Sequence, residues 1–365
     1  MTPDPATDKT LYRRPLPAEA IGFSSRDGRQ IFSEALATGG LDGYFRLAEQ
    51  FHTQSDPAFC GLGSLVVALN ALGIDPGRLW KGPWRWFAED LLDCCVSHDE
   101  VKERGLDIDE LACLARCNGA DVDVHRADRD DVGAWRRAVE EAARGETIVI
   151  ASYDRATLGQ TGSGHFSPIG GYHPGRDLVL VLDVARFKYP PHWISAERLW
   201  QAMLPLDPAT DKARGWITLE RRSQGIALGF SVRCDGESWQ GLARRLAAAV
   251  AELESADELA TLCRAVVPLT AHVELRTPSA PAHQDALAAA RSALRSLTAY
   301  PQIVAAVGAD HAETVAILLL AVADRLTPAQ RAALGALGEG AADGPPLAAE
   351  LGNVRAQLAA ILNRR

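Results

Sequence analysis

Residues 51–69 read FHTQSDPAFCGLGSLVVAL. A polar, turn-prone segment runs into Cys60, two glycine steps follow, and then an apolar run of helical character. Cys60 therefore sits where a loop becomes a helix. A thiol at a helix N-terminus meets unpaired backbone N–H groups and the positive end of the helix dipole, surroundings that favour thiolate over thiol. Gln54, six residues upstream, is placed to fold back beside the sulfur as an amide donor. The stretch reads as the nucleophile of a cysteine acyl-transfer enzyme with an oxyanion donor before it. The competing reading is a buried structural cysteine, the common fate of a single thiol in a core.

Two later stretches supply partners. Residues 146–152 (ETIVIAS) read as a strand, and a Gly/Thr/Ser loop follows. HFSPIGGYH at 165–173 and DLVLVLDVARF at 177–187 form a plausible hairpin around the turn Pro174-Gly175. His165 opens the first of these strands, directly after Gly162-Ser163-Gly164. Asp183 lies late in the second, between Leu182 and Val184. A carboxylate in such apolar surroundings needs a partner, and a histidine suits it. Cys60, His165 and Asp183 then divide the labour of acyl transfer. The thiolate attacks, the imidazole exchanges protons, and the carboxylate fixes the imidazole. His173, at the far end of the same strand, competes for the role of base.

The rest of the first 221 residues mixes helices and strands. Helical patterns run over 24–37, 41–51, from Cys60 to near Gly73, 107–117, 131–144 and 194–203; strands are expected at 121–125 and 215–221. Residues 79–95 (LWKGPWRWFAEDLLDCC) carry three of the eight tryptophans and the adjacent pair Cys94 and Cys95. Cys113 and Cys117 are four apart and share a helix face. They form either half of a soft-metal site or part of an apolar stripe, and the sequence contains no CxxC pair. Whether Cys94, Cys95, Cys113 or Cys117 bind metal stays open. Beyond a boundary at 221–237 alanine and leucine dominate, with helical runs at 238–267, 282–298, 309–326, 329–337 and 346–363. The expected organisation is a short disordered arm (1–10), an α+β catalytic unit (11–221), a linker (222–237) and an alanine-rich all-helical domain (238–365).

The chain has 365 residues, 47% of them hydrophobic, and a formal net charge of -9. That content suffices for one large domain or two ordinary ones. No basic stripe interleaves with aromatics, so nucleic acid is not an expected partner. The seven cysteines require no disulfide framework and favour a reducing compartment. The longest apolar run, Thr314 to Asp324, is far too short to span a membrane. A cytoplasmic protein without a membrane partner is expected.

FHTQSDPAFCGLGSL, DPGRLWKGPWRWF, LLDCC, HFSPIGGYH and LDVARFKYPPHW together resemble the N-terminal domain of the phytochelatin synthase family in its eukaryotic form. The resemblance covers residues 11–221. It implies a papain-like fold, N-terminal helices followed by an antiparallel sheet, with Cys60 as nucleophile, His165 as base, Asp183 as orienting carboxylate and Gln54 at the oxyanion hole. The implied reaction moves γ-Glu-Cys from glutathione to a second glutathione or a growing phytochelatin and releases glycine. No tightly bound cofactor is implied. Cd2+ or Zn2+ promotes the reaction, mainly as the metal–glutathione thiolate that serves as substrate. Glutathione carries two carboxylates, so a cationic clamp is expected; Arg186 and Lys188 are the candidates, with Tyr189 lining the same pocket. Two other readings stay open: a hydrolase that releases γ-Glu-Cys to water, and an inactive interaction module. Assembly as a homodimer and the metal-ligating residues stay undetermined. Residues 240–365 resemble no family known to us.

Overall fold

The computed structural model describes residues 13–77, 79–222, 229–232, 239–255, 258–275, 281–333 and 345–362. The arm expected at 1–10 lies outside them, as does Cys234. The first unit contains, in chain order, β1 (Ile21–Gly22), α1 (Arg26–Ala37), α2 (Tyr44–Ala48), α3 (Cys60–Ala71), α4 (His98–Arg104), α5 (Ile108–Cys117), β2 (Ala120–Arg126), α6 (Val132–Ala143), β3 (Ile148–Asp154), β4 (Gly164–His173), β5 (Leu178–Val181), β6 (His192–Ser195), α7 (Ala196–Gln201), β7 (Leu206–Asp207), β8 (Lys212–Ala213) and β9 (Gly215–Arg221). Helix starts follow local chemistry. Ser25, Ser97, Asp107, Asp131 and Ser195 each accept a backbone N–H of the first turn, and Ser97 and Asp107 form full capping boxes with Glu100 and Glu110.

Seven strands form one sheet in the order β1-β6-β5-β4-β3-β9-β2, and every neighbouring pair is antiparallel. Both faces of its middle are covered. Successive residues of a strand point to opposite faces. Ile148 and Ile150 of β3, Leu180 of β5 and Ile217 of β9 therefore join the core under α3 and α5. Val149, Ala151, Val179 and Trp216 join the opposite core, built with Trp135 of α6 and Leu199 of α7. A strand buried on both sides reads as a continuous apolar run, which is why ETIVIAS shows no alternation.

Helix α3 crosses the sheet at β4 and is the most enclosed helix of this unit. Every residue from Cys60 to Leu69 is buried. Gly63 makes that enclosure possible, since a Cβ there would lie 3.0 Å from Glu89 Oε1 and 3.2 Å from Gln54 Cβ. The helix expected at 194–203 starts later, because His192–Ser195 pair with β5 as an edge-proximal strand before Ser195 caps α7. The helix expected at 41–51 keeps only Tyr44–Ala48.

Four cysteines gather between α5 and the segment that precedes α4. Cys95 is bonded to Cys113, and Cys95 Sγ lies 3.2 Å from Cys117 Sγ and 3.9 Å from Cys94 Sγ. The sequence reading required no disulfide framework and did not anticipate this bond. Spacing along the chain, 18 residues apart, gave no hint that α5 would lay Cys113 against Cys95.

The second unit is built of helices: α8 (Trp239–Ser255), α9 (Leu259–Thr270), α10 (Pro281–Arg295), α11 (Tyr300–Val307), α12 (Ala309–Ala321), α13 (Pro328–Ala333) and α14 (Pro345–Leu362). Helix α12 is its centre, with Val315 through Ala321 buried. A short antiparallel ladder joins β10 (Phe230–Val232) to β11 (Val273–Leu275). Its open edge is met by α14, where Glu350 accepts the Gly229 and Phe230 N–H groups and Asn353 donates to Phe230 O. Residues 229–232, expected within a linker, are thus part of this unit's core. Helix α14 also packs on α5, so the two units share a face. No described helix is long and apolar enough to cross a membrane.

Candidate active site

Cys60 is the first residue of α3, and no side chain caps that terminus. The first-turn N–H groups and the dipole therefore act on the sulfur. It stays 9% exposed, at the floor of a cleft. His165 enters from the start of β4 and Asp183 from just beyond β5, strands that are direct neighbours in the sheet. His165 Nε2 lies 2.9 Å from Asp183 Oδ1. With Nε2 held there, Nδ1 is the nitrogen left for Cys60. The edge of the Tyr153 ring stands against the imidazole, 5.6 Å between centroids.

Asp183 is fully buried, and its charge is matched by donors. Besides His165 it accepts Ala185 N at 2.9 Å and Arg155 Nη2 at 3.0 and 2.8 Å. Burial alone would raise its pKa, but the His165 and Arg155 charges and hydrogen bonds hold it well below the usual carboxylate range. Burial would likewise raise the Cys60 pKa. The His165 charge, its hydrogen bond, the Phe166 backbone and Arg155 reverse this and lower it. For His165, burial and the Arg155 charge press downward, yet Asp183 and Cys60 raise it. Each of these two groups thus stabilises the charged form of the other, as a thiolate–imidazolium pair requires.

The loop before Cys60 is tied to the same centre. Gln54 N donates to Val184 O, and Ser55 donates through its backbone and hydroxyl to the Glu89 carboxylate. Gln54 is 3% exposed. Its Nε2 donates to Asp56 O at 2.8 Å and Pro57 O at 3.0 Å, while its Oε1 is buried without a partner. His173 is held at the opposite end of β4 by Glu34, 3.2 Å away. Eight residues of extended chain, about 26 Å, separate it from His165, which removes it as a candidate base.

The cleft holds about 490 Å³ and is walled by Pro57 and Ala58, the end of α4 with Gly105 and Leu106, residues 162–166, Ala185, Phe187 and Lys188, and residues 207–209. Four cations reach it: Arg104, Arg155, Lys188 and Arg214. Of the three residues expected to bind substrate, Lys188 lines this wall. Arg186 instead is exposed and lies over the Phe51 ring, 4.9 Å from its centroid. Tyr189 is buried; its ring carries the Arg155 guanidinium at 5.0 Å, and its hydroxyl accepts Thr161 N. Arg155, which also donates to Gln160 Oε1, and Arg214 have no counterpart in the sequence reading. Arg155 stands in the polar loop after β3, where nothing local marks it, and only the pairing of β3 with β4 delivers it to Asp183. A larger cavity, about 640 Å³, lies between β2, α5 and α14; among the described residues its lining holds no cysteine, whereas Cys60 lines the smaller one.

The arrangement brings together a cysteine whose pKa is lowered, a histidine held by a buried carboxylate and a cation-rich pocket of small-molecule size. A family model described as phytochelatin synthase matches residues 11–216. The chain is 48% identical over 252 residues to glutathione gamma-glutamylcysteinyltransferase 1 of Arabidopsis thaliana, covering 68% of this chain and 52% of that protein. It is 46% identical over 256 residues to glutathione gamma-glutamylcysteinyltransferase 1 of Lotus japonicus, covering 70% and 51%. It is 40% identical over 256 residues to glutathione gamma-glutamylcysteinyltransferase of Schizosaccharomyces pombe, covering 70% and 61%. The chain spans about half the length of the curated relatives it matches. Because that family model matches residues 11–216, more than half of the chain and a span that includes α3, β4 and β5, the chain belongs to the phytochelatin synthase family.

Proposed function

We propose that this protein transfers γ-Glu-Cys from glutathione to the amine of a second glutathione or of a growing phytochelatin. The observation that carries the reading is Cys60 at the open N-terminus of α3, within a cationic cleft and beside a histidine fixed by Asp183. The Cys60 thiolate attacks the carbonyl that joins cysteine to glycine. A C–S bond forms and the C–N bond breaks as His165 gives its proton to the departing glycine amine. The acceptor amine then attacks the thioester. Its proton passes to His165, the C–N bond forms, and Cys60 leaves as thiolate. Asp183 keeps the imidazole oriented throughout, and Arg155 positions Asp183. Gln54 is the oxyanion donor in this reading, with one Nε2 hydrogen turning from a loop carbonyl to the developing charge.

Lys188 and Arg214, which line the cleft, are the cations that meet substrate carboxylates in this reading, Arg214 from its pairing with Asp207. Tyr189 acts at one remove, by carrying Arg155. Arg186, seated on Phe51, reaches substrate only from the rim. Thiophilic ions such as Cd2+ or Zn2+ enter as glutathione thiolates, that is, as substrate. The relatives' names support glutathione as the donor, and a cytoplasmic location fits a glutathione-consuming enzyme. Incubation of the purified protein with glutathione and Cd2+, followed by separation of products by mass, tests the proposal. Oligomers of γ-Glu-Cys are expected. Dipeptide and glycine alone would make the protein a hydrolase, and no glycine release would overturn both activities.

A further inference from the structure

The polar groups behind Asp183 form a chain whose hydrogen positions follow from elementary chemistry. Arg155, Gln160 and His192 are all buried. An arginine carries donors only, so the Gln160 atom that meets Arg155 Nη1 is its oxygen, Oε1. The Gln160 amide nitrogen then faces His192 Nε2, 3.3 Å away. On the far side of that ring, Nδ1 lies 3.0 Å from the Pro190 carbonyl oxygen. A carbonyl only accepts, so Nδ1 carries the ring proton and Nε2 offers its lone pair to Gln160. A doubly protonated ring would set N–H against N–H at Gln160, and burial also disfavours its charge. The chain ends at Arg155 Nη2, which donates to both Asp183 oxygens. Strand pairing assembles it: β6 sets His192 opposite Val181 of β5, two residues before Asp183.

Arg155 also lines the cleft. The substrate of the proposed reaction brings two carboxylates into that cleft, and a guanidinium free to turn would pair with one of them. Asp183 would then lose its two contacts with Arg155, and the His165 ring would lose its fixed partner. We propose that Gln160, held by the Nε2 lone pair of His192, is a positioning residue that locks the Arg155 guanidinium on Asp183 and keeps it off the substrate's carboxylates. The inference rests on the reading of Cys60, His165 and Asp183 as the reacting set. Neither Gln160 nor His192 lines the cleft, so each acts through Arg155. The cations of the site are thereby divided by task. Arg155 faces inward to Asp183, while Lys188 and Arg214 are left to the substrate.

Two readouts on the full chain test this. The first needs no glutathione: the rate of Cys60 alkylation by iodoacetamide is followed against pH and mapped by peptide mass. The wild-type chain should react well below the pH range of an ordinary thiol, with a second transition where His165 loses its proton. Asp183, Cys60, Arg155 and His192 act on the His165 charge, and the Tyr153 ring stands against it. Gln160→Met keeps the volume and removes both hydrogen bonds. Arg155, which presses the His165 pKa down, then leaves Asp183, and the second transition should rise by about one pH unit. The second readout is glycine release. There kcat should fall about tenfold or more, with KM for glutathione unchanged or lower as the freed Arg155 gains a substrate contact. His192→Leu should shift the His165 transition in the same direction, which keeps the test decisive if Gln160→Met fails to fold. His192→Gln, whose Oε1 can stand in for Nε2, should recover most of that shift. A transition that stays in place or moves toward acid, a rise in KM with kcat unchanged, or equal shifts in His192→Leu and His192→Gln would overturn the inference. A wild-type Cys60 that titrates as an ordinary thiol would overturn the triad reading, and the inference with it.

Discussion

At the scale of single residues, Asp183 carries more of the site than its one hydrogen bond to His165 suggests. It is the meeting point of His165, Arg155 and the Ala185 backbone. Asp183 raises the His165 pKa, so Asp183→Asn should lower it. The imidazolium would then be lost at lower pH, and the basic limb of the kcat/KM profile should move toward acid. Turnover should fall by about 10²–10⁴, with the circular dichroism spectrum unchanged. An unmoved basic limb would separate Asp183 from His165. The same carboxylate contributes to stability with a definite sign. Its folded pKa is depressed, so its contribution is present above the unfolded value near 3.9 and is lost as pH falls through the folded value. Arg155→Lys should retain the charge yet lose the double contact with Asp183 and the stacking on Tyr189. We expect kcat to fall while KM for glutathione changes less; a pure KM effect would make Arg155 a substrate contact instead.

Among the elements, α3 sets the precision of the site because it is packed all round. Leu65 is fully buried at its centre, and Leu65→Ala should cost about 2–5 kcal/mol in a denaturant titration. Gly63→Ala tests a narrower point. The added methyl would press on Gln54 and Glu89, so activity should drop further than stability does. Equal losses would argue that the close approach of the Gln54 loop is structural alone. This scale also marks what the sequence disclosed. The loop-to-helix junction at Cys60, the hairpin that carries His165 and ends just before Asp183, and most helix starts were legible, because caps, glycines and periodicity are local signals. The second half of the strand at 192–195 fell inside the helical pattern at 194–203, because Ile194 serves either periodicity. Arg155 and Arg214 were invisible for a different reason. Their roles come from strand pairing between distant segments, and no local pattern records which loop a sheet will bring to which carboxylate. The grouping of Cys94 and Cys95 with Cys113 and Cys117 was half visible. The helix spacing put two thiols on one face, but not the segment that meets them.

Across the whole molecule, the helical unit is joined to the catalytic one through α14 on α5, and α5 also carries two of the clustered cysteines. Among the described residues, none that lines the cleft comes from the helical unit. A chain ending after residue 222 should therefore still form the acyl-enzyme. It should also melt at lower temperature, since the α5 face covered by α14 becomes exposed to water. A truncated chain that folds but fails to acylate would assign the helical unit a part in the chemistry.

The most direct test of the account is the mass of the intact protein shortly after mixing with glutathione. The thioester reading predicts a γ-Glu-Cys adduct that maps to the peptide containing Cys60 and disappears in Cys60→Ser, together with release of glycine. An adduct on another cysteine, or glycine release that persists in Cys60→Ser, would contradict it.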